Sequence, residues 1–157
     1  MMNSKRIYLC LAHMSGNEMK YIQDAFDTNW VVPLGPNVNG FEKDLESFVG
    51  QDKKVVALSA GTAAVHLALL DCDVKAGDEV MVQSFTFCAS SNPIKYLGAK
   101  PVFVDSEKET WNMDPQLLDQ AIADRIEKTG KKPKAIIVVY LYGMPAKIDE
   151  ILQVANK

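Results

Sequence analysis

Apolar residues recur along this chain in short blocks whose spacing switches between helical and extended. Met19, Ile22 and Phe26 share one helical face, and Ser15-Gly16-Asn17-Glu18 ahead of them matches a capping box, so the pattern predicts a first helix over about 16–27. Phe41, Leu45 and Phe48 keep the same spacing and Gly50 supplies a stop, which predicts a second helix from about Gly40. Between the two, residues 29–37 hold two prolines and a glycine and read as an irregular loop. Its apolar side chains either pack on the body of the domain or line a pocket or subunit contact.

Further along, strand-like runs at 55–58, 80–82, 101–104 and 135–141 alternate with helical patterns. One helix begins at Gly61, one ends at Gly98, one runs from Asp114-Pro115 towards Gly130, and one carries Ile148, Ile151, Leu152 and Ala155. Residues 7–11 form a short extended lead-in. Four strands alternating with helices predict an α/β fold with a mostly parallel, doubly wound sheet, whose ligands bind beyond the carboxyl ends of the strands. The turns at 59–62, 84–87 and 142–145 fall at that edge.

The turn at 59–62 carries the first candidate chemistry. At the start of a helix, backbone N–H groups lack intrahelical acceptors and the peptide dipoles add positive charge, so Gly61 and Thr62 stand where a phosphate would bind. Small residues between a strand and a helix are equally ordinary packing. The turn alone leaves the two readings open.

Composition narrows the classes. With 157 residues, 48% of them apolar, the chain can build one domain with a real core. A net charge of -3, with both signs interspersed, argues against nucleic acid or an anionic membrane as partner. Cys10, Cys72 and Cys88 show no paired spacing, so neither a disulfide framework nor a metal site is indicated, and they read as buried reduced thiols. The apolar run after Lys5-Arg6 is too short for a signal peptide and no stretch reaches membrane-spanning length, which points to the cytoplasm.

No G-x-G-x-x-G and no G-x-x-x-x-G-K-[ST] occurs, so dinucleotides and nucleoside triphosphates lose their usual signature. A phosphate-bearing cofactor whose ring needs a stacking face fits better. Phe87 can supply that face, or pack in the core like most phenylalanines. Trp30-x-x-x-Leu34-Gly35-Pro36, Phe41-Glu42, Ser59-Ala60-Gly61-Thr62-Ala63-Ala64, Gly77-Asp78-Glu79-Val80, Ser84-Phe85-Thr86-Phe87, Gly98-Ala99-Lys100-Pro101-Val102-Phe103-Val104-Asp105 and Leu141-Tyr142-Gly143 follow one another in order. Together they resemble the pyridoxal-phosphate sugar aminotransferases of the DegT/StrS family. The opening, His13-Met14-x-Gly16-Asn17-Glu18, resembles the bacillosamine-type transaminases that aminate UDP-4-keto-6-deoxy-N-acetylhexosamines.

The resemblance implies a type I aminotransferase-like large domain, incomplete at its C-terminus, with residues 1–50 as an N-terminal helical segment and loop and residues 51–157 as the first part of the cofactor domain. It implies pyridoxal 5'-phosphate as cofactor, a nucleotide-linked keto sugar as substrate, glutamate as amino donor and a homodimer when full length. Carried over by position, Gly61 and Thr62 hold the cofactor phosphate, Phe87 stacks on the pyridine ring, and Trp30, Leu34 and Gly35 lie near the sugar or the dimer interface. The family's Asp on the pyridine nitrogen, its Ser on the phosphate and its nucleophilic Lys have no counterparts within 1–157. Lys95 and Lys100 read as ordinary solvated residues. The resemblance therefore implies an inactive amino-terminal portion of an aminotransferase, with a non-catalytic module and a sugar dehydratase of the same family as alternatives.

Overall fold

The computed structural model describes Arg6, Tyr8, residues 12–50 and residues 52–157. The expected lead-in at 7–11 and Cys10 therefore fall outside the described residues. The chain forms two compact units, Met1–Ala57 and Leu58–Lys157.

In the first unit, helix α1 spans Glu18–Asp27 and helix α2 spans Pro36–Val49. Glu18 does reach back, accepting from Ser15 N at 2.6 Å and Gly16 N at 2.9 Å, and its own backbone N–H, followed by Ser15, lowers its carboxyl to about 2. Ser15 stands further out than expected: its hydroxyl accepts from Asn17 N, and Asn17 is the N-cap. Helix α2 starts four residues before Gly40 because Pro36 opens it, where a missing N–H costs nothing. Gly35, just before it, has φ +138° and lies against Trp30, where an added Cβ would meet the ring at 3.0 Å.

Residues 55–58 are extended yet form no strand, a correction to the expected four-stranded pattern. A strand requires a neighbouring backbone, and here the donors meet side chains instead. Val55 N donates to Glu46 at 3.2 Å and Ala57 N to Glu42 at 2.8 Å. Donors two residues apart in an extended segment are spaced like carboxylates one turn apart on a helix, so α2 stands in for a partner strand.

The second unit runs α3 Gly61–Asp71, β1 Glu79–Gln83, a 3₁₀ turn at Cys88–Ser90, α4 Asn92–Tyr96, β2 Lys100–Val104, α5 Pro115–Thr129, β3 Ala135–Ile137, a 3₁₀ turn at Leu141–Gly143 and α6 Ile148–Ala155. The strands lie in the order β2-β1-β3, all parallel, with Val82 opposite Phe103 on one side and Ile137 on the other. Alternation splits the two faces of β1. Val80 and Val82 pack with Leu69, Val74 and Ile94 under α3 and α4, whereas Met81 packs with Met113, Leu118 and Ile151 under α5 and α6. Helices on both faces make the expected doubly wound α/β sheet. Burying each of these large side chains contributes about 1.5–3 kcal/mol.

Several boundaries differ from the sequence pattern. Asp114 caps α5 as expected, accepting from Gln116 N at 2.8 Å and Leu117 N at 3.2 Å, and Gly130 closes the helix in the left-handed conformation. Pro93 is tolerated because it sits in the first turn of a short α4. The strand expected over 135–141 pairs only as far as Ile137; beyond it the N–H of Val139 goes to the Gln83 side chain rather than to a strand. Cys72 and Cys88 are free but exposed, against the expectation of burial. Cys72 follows the last turn of α3 and Cys88 opens a 3₁₀ turn, so neither lies on a face turned to the core.

Candidate active site at the carboxyl edge

The chain after β1 leads to α4 on one face of the sheet and the chain after β3 leads to α6 on the other. Adjacent strands whose continuations part in this way leave a crevice at their carboxyl ends, the usual ligand site of doubly wound sheets. Phe85, Thr110, Trp111 and residues 141–145 line a hollow of about 530 Å³ there. The rings of Phe85 and Trp111 meet edge to face with centroids 6.2 Å apart. Tyr142 has φ +53°, uncommon for a bulky residue, and is 72% exposed.

Two buried amides hold this edge together. Gln83, the last residue of β1, is 0% exposed; its Nε2 donates to Phe85 O at 2.9 Å and its Oε1 accepts from Val139 N at 3.3 Å. Asn112, also 0% exposed, donates to Met144 O at 2.8 Å and accepts from Leu141 N at 2.9 Å. Behind them Glu107 accepts from the N–H groups of Glu109 and Thr110 and from the Thr110 hydroxyl, with Lys147 Nζ 3.7 Å away. The Thr110 hydroxyl, above all, holds the Glu107 carboxyl down to about 2. Lys147 is pushed up by its 2.8 Å bond to Glu109. The loop that carries Trp111 is thereby closed on itself.

The sequence-derived residues fall in two places. Gly61 and Thr62 open α3, which packs against the Cys88–Ser90 turn, and Phe87 immediately precedes that turn, 77% exposed. This brings the candidate phosphate turn and the candidate stacking ring to one edge, and it excludes the core-packed role for Phe87. No side chain caps α3, and among the described residues no acceptor meets Gly61 N or Thr62 N. A Cβ placed on Gly61 would meet nothing within 4 Å, so the approach is open. Open donors beside an exposed aromatic ring fit an anionic, ring-bearing cofactor.

Trp30, Leu34 and Gly35 line a separate hollow of about 520 Å³ within the first unit, together with Asp24 and Asn37. The lysines stand aside: Lys100 is exposed at the amino end of β2 and Lys95 is exposed in the last turn of α4. The sequence reading missed Gln83, Trp111 and Asn112. A glutamine ending an otherwise apolar strand was the available signal for the first.

The profile of the DegT/DnrJ/EryC1/StrS aminotransferase family matches residues 12–157. The chain belongs to that family. It is 52% identical over 152 residues to EpsN of Bacillus subtilis, named as a pyridoxal phosphate-dependent aminotransferase, covering 97% of this chain and 39% of EpsN. It is 38% identical to the GDP-perosamine synthase of Caulobacter vibrioides, again covering 97% of this chain and 39% of the relative. Among solved structures of DegT/DnrJ/EryC1/StrS-like proteins, the PLP form of the sugar aminotransferase Spr1654 from Streptococcus pneumoniae superposes with a TM-score of 0.78 at 33% identity, over 96% of this chain and 36% of that one. The chain thus spans about two fifths of the length of the curated relatives it matches. Among the described residues no helix is long and apolar enough to cross a membrane.

Proposed function

We propose that this chain supplies the phosphate-holding part of a pyridoxal-phosphate aminotransferase acting on a nucleotide-linked keto sugar, of the UDP-4-keto-6-deoxy-N-acetylhexosamine type, with glutamate as amino donor. The observation that carries the reading is the pair of unpartnered N–H groups on Gly61 and Thr62 at the same edge as the exposed ring of Phe87. These amides and the Thr62 hydroxyl hold the phosphate, and Phe87 covers one face of the ring. Bound there, pyridoxal phosphate supplies an electron sink and a carrier for the amino group. The nucleophilic lysine, in this reading, lies outside residues 1–157, so these residues alone bind and orient without catalysing transfer. Trp30, Leu34 and Gly35 serve the sugar or a subunit contact, and residues 51–157 begin the cofactor domain. A cytoplasmic homodimer completes the reading. The relatives' names favour amino transfer over dehydration.

The test is a titration of the full natural polypeptide with pyridoxal phosphate, followed by glutamate and then a UDP-linked keto sugar, reading cofactor absorbance and transfer of ¹⁵N to the sugar. Saturable binding that Thr62→Val weakens, with ¹⁵N transfer, supports the proposal. Binding indifferent to Thr62 and Phe87 overturns the assignment of the phosphate turn.

A further inference from the structure

Gln83 and Asn112 occupy an unusual position: each is a fully buried amide, and together their four hydrogen bonds reach two backbone segments that leave the sheet in different directions, the chain after β1 and the chain after β3. The split between β1 and β3 exists because their continuations turn to opposite faces. Such a split has no backbone ladder to close it, since β3 stops pairing at Ile137 while β1 continues to Gln83. Gln83 spans it directly, from Phe85 O on the β1 side to Val139 N on the β3 side. Asn112 takes the next stretch, fixing Leu141 N and Met144 O on either side of the strained Tyr142. An amide suits this task because it donates and accepts at once, and because, being neutral, it carries no charge to desolvate.

We propose that Gln83 and Asn112 are positioning residues that set the shape of the crevice: Gln83 holds the segment carrying Phe85 and Phe87 at a fixed distance from the chain after β3, and Asn112 holds the Tyr142 turn. The link to cofactor binding rests on the aminotransferase reading above; the clamp itself does not. Neither amide touches the ligand. Their effect on binding passes through the loops they hold.

Hydrogen exchange on the full natural polypeptide, resolved at Val139 and Leu141, tests the clamp without any ligand. Gln83→Ala should speed exchange at Val139, and Asn112→Ala at Leu141, each on the order of tenfold relative to the β1 amides, because an acceptor is lost at one site only. Asn112→Asp keeps the acceptor for Leu141 N and should restore its protection. Leu118→Val, a core change on the other side of Met81, serves as the stability control. Faster exchange spread evenly over β1, β2 and β3, as that control would give, overturns the proposal, as does unchanged exchange at Val139 and Leu141. A parallel titration with pyridoxal phosphate should show affinity falling on the order of tenfold in Gln83→Ala but not in Leu118→Val at matched melting temperature. If the wild type binds no pyridoxal phosphate, the functional reading falls while the exchange pattern still decides the clamp.

Discussion

The two edges of the sheet are closed by opposite chemistries. At the amino edge Glu79 and Arg125 form a two-pronged ion pair with both contacts at 2.8 Å, and Asp73 meets Lys75 and Lys134 close by. At the carboxyl edge amides and hydroxyls do most of the fastening: Gln83 and Asn112 as above, Thr86 with Ser90 at 2.9 Å, and Ser84, whose hydroxyl donates to the Asp105 carboxylate at 3.3 Å. The amino edge has only to be closed, and there the two parallel contacts of a largely buried ion pair offset the desolvation of its charges. The carboxyl edge must hold backbone loops open around a hollow, and the buried amides do so without adding a charge of their own. Strength at one edge lies in charge, and at the other in two buried amides that both donate and accept.

This contrast predicts unequal sensitivity. Asn112→Ala empties a fully buried position and removes the partner of the Leu141 N–H and the Met144 carbonyl, and should destabilise the fold by about 2–4 kcal/mol, measured by urea denaturation. Glu79→Ala should lower the melting temperature by less, because the Arg125 guanidinium, though largely buried, keeps a quarter of its surface in water and retains Asp124 at 3.7 Å. Equal or larger loss at Glu79 would erase the difference between the edges. Added salt should weaken the amino-edge ion pairs and leave the Gln83 and Asn112 bonds unchanged.

The Glu107 fastening near the carboxyl edge sharpens the comparison through pH. Glu107 is held at about 2, below its ordinary 4.5, so its contribution is fully present above about 4.5 and is lost as pH falls towards 2. Melting temperature should therefore drop over that window, and Glu107→Gln should flatten the drop. Some slope should survive in the variant, since Glu18 in the first unit is held equally low by its own backbone bonds. Lys147 is raised and acts at the other extreme, losing its contribution only as pH rises above 10.5. A variant slope identical to wild type would show that the Thr110 hydroxyl does not anchor this loop.

Much of the sheet was legible in the pattern because parallel strands buried on both faces read as apolar runs, and the blocks at β1 and β2 were found within a residue or two. Residues 55–58 misled because composition reports burial and extension but not whether a partner strand lies alongside; the partners turned out to be Glu42 and Glu46. The run at 135–141 misled for the same reason, with only three residues paired. Gly61, Thr62 and Phe87 stood out as candidates because backbone donors at a helix start and an aromatic after a strand have local signatures. Gln83 and Asn112 were not, since their partners lie 56 and 29 residues away in the chain. A buried amide looks like any other amide until the fold closes around it.

The smallest effect on stability should accompany a large effect on function. Phe87 is 77% exposed and joins neither core cluster, so Phe87→Ala should change unfolding free energy by less than about 0.5 kcal/mol. A side chain that costs so little to remove, yet exposes an aromatic ring to water, agrees with the ligand role proposed for it better than with a packing role. Loss of pyridoxal phosphate affinity by roughly tenfold in a variant that melts like wild type would give the carboxyl edge its function through a residue the fold does not need. A large drop in stability would place Phe87 among the fastenings and remove it from the site, leaving the α3 amides alone to recognise the phosphate.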